Sequence, residues 1–252
     1  MLAAERHHQI MNRIAAQGSV RTKELADQLE VTDETIRKDL ELLEGQGVLV
    51  RTHGGAVPAL RGQRELTLTE RQRLNRESKQ AIAKEAAQRI QPEETIFIDA
   101  SSTALGVTQY LPDFPITVIT NSHDVISALA GISTVELVST GGVFESRSRS
   151  FIGLDAERSL QRYNIHRMFF SGNGLDLERG VSEGNSRQAA FKEHVMAAAE
   201  DVCLLADETK IGRRSAFFFG ACTQLSTLIT TTKADKGVIT SLKNLGIEVI
   251  TA

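Results

Sequence analysis

The sequence is poor in the features that mark secreted, membrane-spanning or metal-binding proteins. Its 252 residues include only two cysteines, Cys203 and Cys222, in apolar or small-residue contexts and without a C-x-x-C spacing. No apolar run approaches the roughly 18 residues that span a bilayer, and the N-terminus has no signal-peptide core. The six histidines are scattered without a metal-ligand spacing. We therefore expect a cytoplasmic protein with reduced, structural thiols, no membrane association, no metal and no cofactor.

The most informative stretch that is present is residues 31–43, V-T-D-E-T-I-R-K-D-L-E-L-L. Thr32 or Asp33 can cap the first turn of a helix by accepting hydrogen bonds from its unpaired N–H groups. An apolar stripe at four- and three-residue steps predicts one buried face. The opposite face shows one threonine and two basic side chains, which suits the DNA major groove. The buried stripe is Ile36, Leu40 and Leu43, and the outward set is Thr35, Arg37 and Lys38.

The neighbouring segments make this stretch more than an ordinary amphipathic helix. Residues 6–16 and 22–29 predict two further helices, and residues 30–32 form a turn of the length found in helix-turn-helix units. Residues 47–51 alternate like a strand and run into T-H-G-G-A. Three helices followed by a basic hairpin predict a winged helix, with Arg51 and His53 on the wing near phosphates or the minor groove.

Charge does not by itself indicate a DNA-binding domain. Residues 1–56 contain seven Lys and Arg against nine Asp and Glu, a net charge of −2, whereas residues 57–80 contain six against three, a net +3. Non-specific DNA affinity comes from cations that neutralise phosphates. We therefore expect weak DNA binding from an isolated winged helix, with affinity recovered by dimerisation. The basic residues of 57–80 are interpreted as the solvated face of an amphipathic helix, with DNA contact as the alternative.

The remainder of the chain predicts an α/β domain. Buried runs predict seven strands, with helices between them: strands 95–99, 116–119, 134–138, 165–170, 202–206, 225–230 and 248–250, and helices 78–90, 103–110, 122–130, 156–161, 185–199 and 233–245. This alternation favours a mainly parallel sheet covered on both faces. Ser78 is the predicted cap of the first helix. The organisation expected from the sequence is a winged helix at 1–57, a linker at 58–77 and an α/β domain at 78–252.

Polar segments follow several of these strands, where ligands bind in open α/β sheets. The segment D-A-S-S-T at 99–103 joins a strand to a helix and offers hydroxyl and N–H groups to a phosphate. The others are T-N-S at 120–122, G-G at 141–142, S-G-N-G at 171–174 and D-E-T-K at 207–210. Each alone is more often a structural turn. Five at one edge predict a binding site.

Both halves resemble the DeoR family of bacterial transcriptional regulators. Over residues 5–57 the resemblance rests on T-I-R-K-D-L-x-x-L followed by L-x-R-x-H-G-G-A. Many members have a second arginine where this chain has Lys38, which keeps the charge but loses the bidentate fork. The resemblance implies binding to double-stranded operator DNA through the following residues: Thr32, Glu34, Thr35, Arg37, Lys38, Arg51 and His53.

Residues 78–250 resemble the sensor domain of the same family, which is related to the ribose-5-phosphate isomerase and coenzyme A transferase folds. The matching pieces are D-x-S-S-T, T-N-S, G-G, G-x-G-L-D, Lys192 and D-x-T-K-x-G; the last usually reads D-x-S-K-F-G, so Ile211 replaces an aromatic residue. The resemblance implies that a phosphorylated sugar binds this edge. The implied phosphate ligands are Ser101, Ser102 and Thr103 with Lys192 or Lys210 as counter-ion, the sugar-hydroxyl ligands are Asp99, Asn121, Glu183 and Asp207, and backbone contacts come from Gly141, Gly142 and Gly172.

The expected function is a homo-oligomeric repressor, dimer or tetramer, of a carbohydrate catabolic operon that a phosphorylated sugar releases from DNA. The main alternative is a sugar-phosphate isomerase-like enzyme with an accessory DNA-binding domain, in which Glu183 or Glu193 with Lys192 would transfer protons. A third hypothesis is a DNA-binding protein that responds to a protein partner. The sequence favours the first, because a fused winged helix would be idle in a metabolic enzyme.

Overall fold

The computed structural model describes residues 3–17, 19–45, 49–52, 54–58 and 67–252. The chain divides into two compact units, Met1–Glu65 and Leu66–Ala252. Each unit has its own hydrophobic core.

The first unit has the predicted three helices and hairpin. Its elements are α1 (Ala3–Gln17), β1 (Val20–Arg21), α2 (Thr22–Leu29), α3 (Asp33–Gly45), β2 (Leu49–Thr52) and β3 (Gly55–Pro58). The turn between α2 and α3 is residues 30–32, as predicted, and Glu30 ends α2 in the left-handed region at φ 53°. The predicted stripe of Ile36, Leu40 and Leu43 is buried at no more than 3% exposure. A winged helix-turn-helix therefore forms from this sequence.

The short strand β1 was not predicted, and it explains one of the two wing glycines. β1 pairs antiparallel with β3, so the sheet order is β1-β3-β2. A Cβ atom at Gly55 would lie 2.0 Å from the carbonyl oxygen of Val20. Only glycine allows this approach of the two backbones. The glycine thus ties the hairpin to the segment between α1 and α2.

The second unit alternates helices and strands over its whole length. Its elements are α4 (Leu68–Arg73), α5 (Arg76–Ala87), β4 (Thr95–Ile98), α6 (Ser102–Val107), β5 (Ile116–Thr120), α7 (His123–Leu129), β6 (Val135–Ser139), β7 (Val143–Glu145), β8 (Ser150–Ile152), α8 (Leu154–Leu160), β9 (Ile165–Phe170), β10 (Gly174–Asp176), β11 (Gly180–Glu183), α9 (Ser186–Ala198), β12 (Ala199–Leu205), β13 (Phe217–Gly220), β14 (Thr227–Thr230), α10 (Lys236–Asn244) and β15 (Glu248–Thr251).

The seven predicted strands form one parallel sheet in the order β15-β14-β12-β9-β4-β5-β6. Successive residues of a strand face opposite sides, so Phe97 enters one hydrophobic layer while Ile96 and Ile98 enter the other. Both layers are closed by helices, as in α/β folds with ligand sites at a strand-order reversal. The predicted α/β class is confirmed. The order reverses between β4 and β9, because β5 and β6 continue on one side and β12, β14 and β15 on the other.

Several elements differ from the sequence-based expectation. The small sheet β10-β11-β13 and the hairpin β7-β8 were not predicted, because their strands are three or four residues long and include glycine and polar residues. Helix α5 begins at Arg76 after the N-cap Asn75, so the prediction of Ser78 as its cap is wrong. The backbone of Asn75 is left-handed at φ 50°, a conformation that asparagine tolerates better than most residues.

The boundary of the second unit also lies earlier than expected. The predicted linker extended to residue 77, whereas α4 and the start of α5 lie inside the second unit. A capping box fixes the start of α4, since Thr67 Oγ1 accepts from the N–H of Glu70 and Glu70 Oε2 accepts from the N–H of Thr67. Leu68 is 1% exposed, and its N–H donates to the carbonyl of Arg147 at 3.3 Å. Residues 59–66 of the predicted linker lie outside the described residues.

Candidate functional sites

The N-terminus of α3 presents a capped, polar surface. Thr32, one of the two predicted caps, accepts a hydrogen bond from the N–H of Thr35 at 3.2 Å. The hydroxyl groups of Thr32 and Thr35 are 2.9 Å apart. Thr32 is exposed and Thr35 half-buried. The N-terminus of α3, which is predicted to contact DNA, is therefore held in a defined backbone conformation and carries two hydroxyl groups.

The charged residues of α3 face solvent. The side chains of Glu34 and Arg37 are 64% and 61% exposed, with Arg37 Nη1 3.6 Å from Glu34 Oε2. Such an exposed pair is weak, so it does not prevent Arg37 from binding another anion. Lys38 is exposed one residue further, and Arg51 is exposed on β2. His53, the other predicted wing residue, lies outside the described residues.

A buried ion pair behind α3 was missed by the sequence-based reasoning. Asp39 is 7% exposed and accepts from Arg6 Nε and Nη2, the latter at 3.0 Å, and it lies 2.9 Å from His7 Nε2. Burial opposes ionisation of Asp39, but the hydrogen bonds from Arg6 and His7 outweigh it and lower its pKa. The same pair raises the pKa of Arg6. Asp39 thus fixes the rear of α3 to α1, which positions the exposed face.

The predicted effector residues gather at the carboxyl ends of β4, β5, β9 and β12. The segments that follow these strands include Asp99, Asn121, Ser171 and Asp207. β4 and β9 are adjacent parallel strands, and the N–H of Asp99 donates to the carbonyl of Phe169 at 3.1 Å. The reversal of strand order between β4 and β9 leaves a crevice at this edge, the usual ligand position in open α/β sheets.

A buried charge cluster occupies this reversal. Lys192 Nζ donates to Glu183 Oε2 and to the carbonyl of Ser171, each at 2.6 Å, and lies 3.1 Å from Asp99 Oδ2. All three charged side chains are at most 6% exposed. Burial opposes both charges, yet Lys192 lowers the pKa of Glu183, while Glu183 and Asp99 raise that of Lys192. Lys192 is therefore neutralised by two carboxylates, and Lys210 is the better candidate for a phosphate counter-ion.

The loop after β4 is shaped by its own polar groups. Asp99 Oδ1 accepts from the N–H of Ser101 at 3.0 Å, and Ser101 Oγ accepts from the N–H of Ala104 at 3.2 Å as the N-cap of α6. Ser101 and Thr103 are buried, whereas Ser102 is half-buried. Ser102 also lines a cleft of about 500 Å³ between α4, α5 and α6. Of the three predicted phosphate ligands, Ser102 has the clearest access.

The loop after β5 holds a buried amide. Asn121 is 1% exposed, and its Nδ2 donates to the carbonyl of Phe151 at 3.2 Å. Within the described residues its Oδ1 has no hydrogen-bond partner. A buried amide oxygen without a donor costs free energy, and a ligand hydroxyl would satisfy it.

The predicted glycines fall into two groups. Gly141 has φ 63°, and no atom lies within 4 Å of the position that a Cβ would take there, so open space remains beside its backbone. A Cβ at Gly142 would lie 2.7 Å from the carbonyl oxygen of Ile152, and one at Gly172 would lie 2.7 Å from Val181 Cγ1. The close approaches at Gly142 and Gly172 are thus to the protein's own chain, and a role of these glycines in ligand access stays a prediction.

The loop after β12 brings Asp207 and Lys210 to the same edge. Asp207 is 1% exposed and accepts from the N–H of Thr209 at 3.0 Å and from its hydroxyl at 2.5 Å. Lys210 Nζ has no hydrogen bond or ion pair to any residue that the structure describes. Burial lowers the pKa of Lys210, and Asp207 opposes this. The charges of Asp207 and Lys210 also act on the pKa of Lys79 on α5, a residue that no sequence pattern singled out.

Other chemical features are limited in the described part of the chain. No three His, Cys, Asp or Glu residues there are arranged to hold a metal ion. Among the same residues, no helix is both long and apolar enough to cross a membrane. Cys203 and Cys222 are unpaired and buried, and burial raises the pKa of both thiols, which disfavours the reactive thiolate.

Comparison with known proteins places both units in one class. Residues 6–59 match the family model of the DeoR-like helix-turn-helix domain, and residues 74–232 match that of the DeoR C terminal sensor domain. The class defined by the fold and these matches is a DNA-binding transcriptional regulator with a C-terminal sensor domain. The chain belongs to the DeoR family.

Three relatives match along most of their length. The uncharacterized HTH-type transcriptional regulator YulB of Bacillus subtilis is 37% identical, covering 99% of this chain and 96% of the relative. The L-fucose operon activator of Haemophilus influenzae is 34% identical over 88% of this chain and 89% of the relative. The lactose phosphotransferase system repressor of Streptococcus mutans is 32% identical over 93% and 94%. Because these relatives are regulators, the isomerase alternative is not supported.

Among solved structures, ribose 5-phosphate isomerase A of Methanocaldococcus jannaschii is a weak match. It is 17% identical, with a TM-score of 0.40, and the match covers 54% of this chain and 55% of that one.

Proposed function

We propose that this regulator represses a carbohydrate catabolic operon and is released from its operator by a phosphorylated sugar. The observation that carries the proposal is the buried polar cluster at the strand-order reversal, where Asp99, Glu183 and Lys192 meet. The amide oxygen of Asn121, at the end of the next strand, has no partner among the described residues. Buried charges and unpaired amides cost free energy, so their presence at a ligand-binding edge favours a binding role over a structural one. Carboxylates and an amide suit sugar hydroxyls, and Lys210 at the same edge suits an anion.

In this proposal α3 reads the operator. Arg37 contacts a base edge, and Lys38 binds a phosphate as a point charge. Thr32, Glu34 and Thr35 contact the groove beside them, and Arg51 with His53 contacts the backbone from the wing. Two copies in a homo-oligomer, dimer or tetramer, would meet successive major grooves about 34–36 Å apart.

At the sensor edge, Ser101, Ser102 and Thr103 with Lys210 bind the phosphoryl group. Asp99, Asn121, Glu183 and Asp207 bind sugar hydroxyls, and Lys192 holds Asp99 and Glu183 in place. Gly141 leaves room for the ligand beside its backbone, while Gly142 and Gly172 keep the surrounding loops closely packed. The ligand releases DNA by binding more tightly to a conformation that binds the operator less well.

The direction of regulation rests on analogy with relatives of both kinds. The lactose phosphotransferase system relative is named a repressor and the L-fucose operon relative an activator. In this proposal, ligand binding releases the protein from DNA. That is the behaviour of a cytoplasmic repressor of a catabolic operon, so we propose a repressor.

The test begins by selecting duplexes from a random-sequence pool with the full chain. Pentose and hexose phosphates are then screened for a rise in Tm and for release of the selected duplex, with the unphosphorylated sugars as controls. A ligand at 100 times its Kd should stabilise the sensor by about 2.7 kcal/mol. Failure of every phosphorylated sugar in both assays rejects the effector and would favour a protein partner. Conversion of a sugar phosphate to its isomer would instead reinstate the enzyme.

A further inference from the structure

Two basic residues outside the predicted effector set lie against the same edge. Lys79 on α5 is 8% exposed, and its Nζ donates to the carbonyl oxygen of Arg71 on α4. Asn75, at the corner between the two helices, donates from Nδ2 to Thr209 Oγ1 at 3.2 Å. This bond ties the corner to the loop that carries Asp207 and Lys210. From sequence alone both basic residues are interpreted as part of a solvated helix face, and for Lys79 that interpretation is wrong.

The charge of Arg71 acts on several ionisable groups of this edge. The pKa of Lys79 is lowered to about 8, chiefly by burial; Asp207 opposes the shift, and the charges of Lys210 and Arg71 add to it. The charge of Arg71 likewise acts on Lys192, Lys210 and Glu183. One side chain that influences four ionisable groups, from α5, β11, α9 and the loop after β12, must be close to all of them.

Two carboxylates at this edge are already engaged, whereas Arg71 and Lys79 have no carboxylate partner among the described residues. Glu183 accepts from Lys192, and Asp207 accepts from Thr209. Arg71 Nε is buried and has no hydrogen-bond partner within the described part of the chain. Lys79 has only the carbonyl of Arg71 as an acceptor there. Buried donors left without a charged acceptor are costly, and an anion would satisfy them.

A cleft lies beside Lys79, between α4, α5 and α6. Lys79 and Ser102 both line it, together with Arg73 and Arg76, so Lys79 connects the cationic residues to a cavity of about 500 Å³ that reaches Ser102. We propose that Arg71, Lys79 and Lys210 bind the phosphoryl group of the effector. Arg71 is the specificity-determining residue, because its planar fork binds a phosphoryl group in a bidentate manner and a neutral sugar cannot satisfy it.

This inference rests on the proposed function and names the residues that recognise the anionic part of its ligand. It also assigns a role to α4. A six-residue helix that carries Arg71 is held in place on one side by Leu68 and its bond to Arg147, and on the other by the proposed ligand.

The test measures binding of inorganic phosphate, and of each sugar phosphate that raises Tm, to the full chain by calorimetry. The variants are Arg71→Gln, Arg71→Lys and Lys79→Met. Charge-matched controls are Arg158→Gln on α8 and Lys84→Gln on α5, both exposed. We expect Arg71→Gln to weaken phosphorylated ligands roughly tenfold to a hundredfold and Arg71→Lys to retain part of the affinity, with the controls unchanged.

The Tm of the ligand-free protein distinguishes anion binding by Arg71 from a purely structural role. The charge of Arg71 opposes those of three neighbouring lysines. If Arg71 binds the anion, Arg71→Gln should therefore leave the ligand-free Tm unchanged or raise it, while the ligand-induced rise in Tm is lost. A fall in the ligand-free Tm with unchanged ligand affinity would overturn the inference.

The outcomes separate this inference from the proposed function. Wild-type affinity of Arg71→Gln for a sugar phosphate refutes the anion site and leaves the effector class intact. Binding of inorganic phosphate that depends on Arg71, without binding of any sugar phosphate, supports the anion site and refutes the proposed effector. A wild-type protein that binds no phosphate-containing probe refutes both.

Discussion

Asp39 is a buried residue that fixes the position of the exposed face of α3. It lies in the middle of the recognition helix between Lys38 and Leu40, and its carboxylate points to Arg6 and His7 of α1. The side chains of Asp39 and Arg6 are 9% and 11% exposed. Removing either partner leaves the other charge nearly buried without compensation, which costs more than the pair contributes.

We expect Asp39→Asn to destabilise the first unit by roughly 2 to 3 kcal/mol, because Arg6 loses its charged acceptor. The chain has no tryptophan and its two tyrosines, Tyr110 and Tyr163, lie in the second unit, so fluorescence would not report on the change. Hydrogen exchange of the α3 amides in the full chain is the suitable measurement. Wild-type protection in the variant would contradict the prediction, and Glu41→Gln, on the exposed face of α3, is the control.

Asp39 also makes the stability of the first unit depend on pH in the acid range. The folded-state pKa of Asp39 is lowered, so its contribution to stability is present above the unfolded-state pKa of about 3.9 and is lost as pH falls through the folded-state value. This acid-dependent component of α3 protection should disappear in Asp39→Asn. The sequence could not predict the pairing, since Arg6 is 33 residues away and an aspartate in a charged helix normally faces solvent.

At the scale of single elements, the sequence was most informative where periodicity and burial coincide. The stripe of α3 and the seven buried strands were predicted because each reads as a continuous or regularly spaced apolar pattern. Strands β10, β11 and β13 were missed, and with them the position of Glu183 beside Lys192. Four-residue segments such as G-V-S-E contain no periodicity to detect, so their pairing depends on tertiary contacts.

Helix α4 illustrates the opposite case, in which a local signal was present but outweighed. The T-x-x-E pattern of Thr67 and Glu70 is a capping box that starts a helix. The excess of basic residues over 57–80 was interpreted instead as the solvated face of an amphipathic helix in a linker. Burial of Leu68 and Lys79 decides the matter, and neither is visible in a charge count.

The recognition helix permits a test that separates base reading from phosphate binding. We expect Arg37→Ala to reduce affinity for the selected duplex by about 1 to 3 kcal/mol while changing non-specific affinity much less. Lys38→Gln should weaken both kinds of DNA and lower the salt dependence by about one phosphate contact. Arg13→Ala on α1, where Arg13 bonds to Gln28, is a charge-matched control. Anisotropy titrations at several salt concentrations measure all three, and equal losses for Arg37→Ala on both duplexes would show that Arg37 does not read bases.

The two proposed binding sites lie in separate units, each with its own hydrophobic core. The winged helix ends at Pro58 and α4 begins at Leu68, so the first helix of the sensor is also the first described element after the DNA-binding unit. Because α4 carries Arg71, the proposed anion site involves the part of the sensor nearest in sequence to the winged helix. The strand order that builds this site could not be read from the sequence, since seven similar strands can be arranged in many ways and only their packing selects one.

A regulator that couples two sites obeys a reciprocity that can be measured. If a sugar phosphate lowers the affinity for the selected duplex by some factor, the duplex must lower the affinity for the sugar phosphate by the same factor, about 5- to 150-fold for typical couplings. We expect the two factors, measured by calorimetry with and without the other ligand, to agree within error. Arg71→Gln should keep wild-type DNA affinity and remain bound at sugar-phosphate concentrations that release the wild type, because ligand binding is lost and the DNA surface is untouched. A sugar phosphate that binds with equal affinity in the presence and absence of the duplex cannot be the signal that releases it, however tightly it binds.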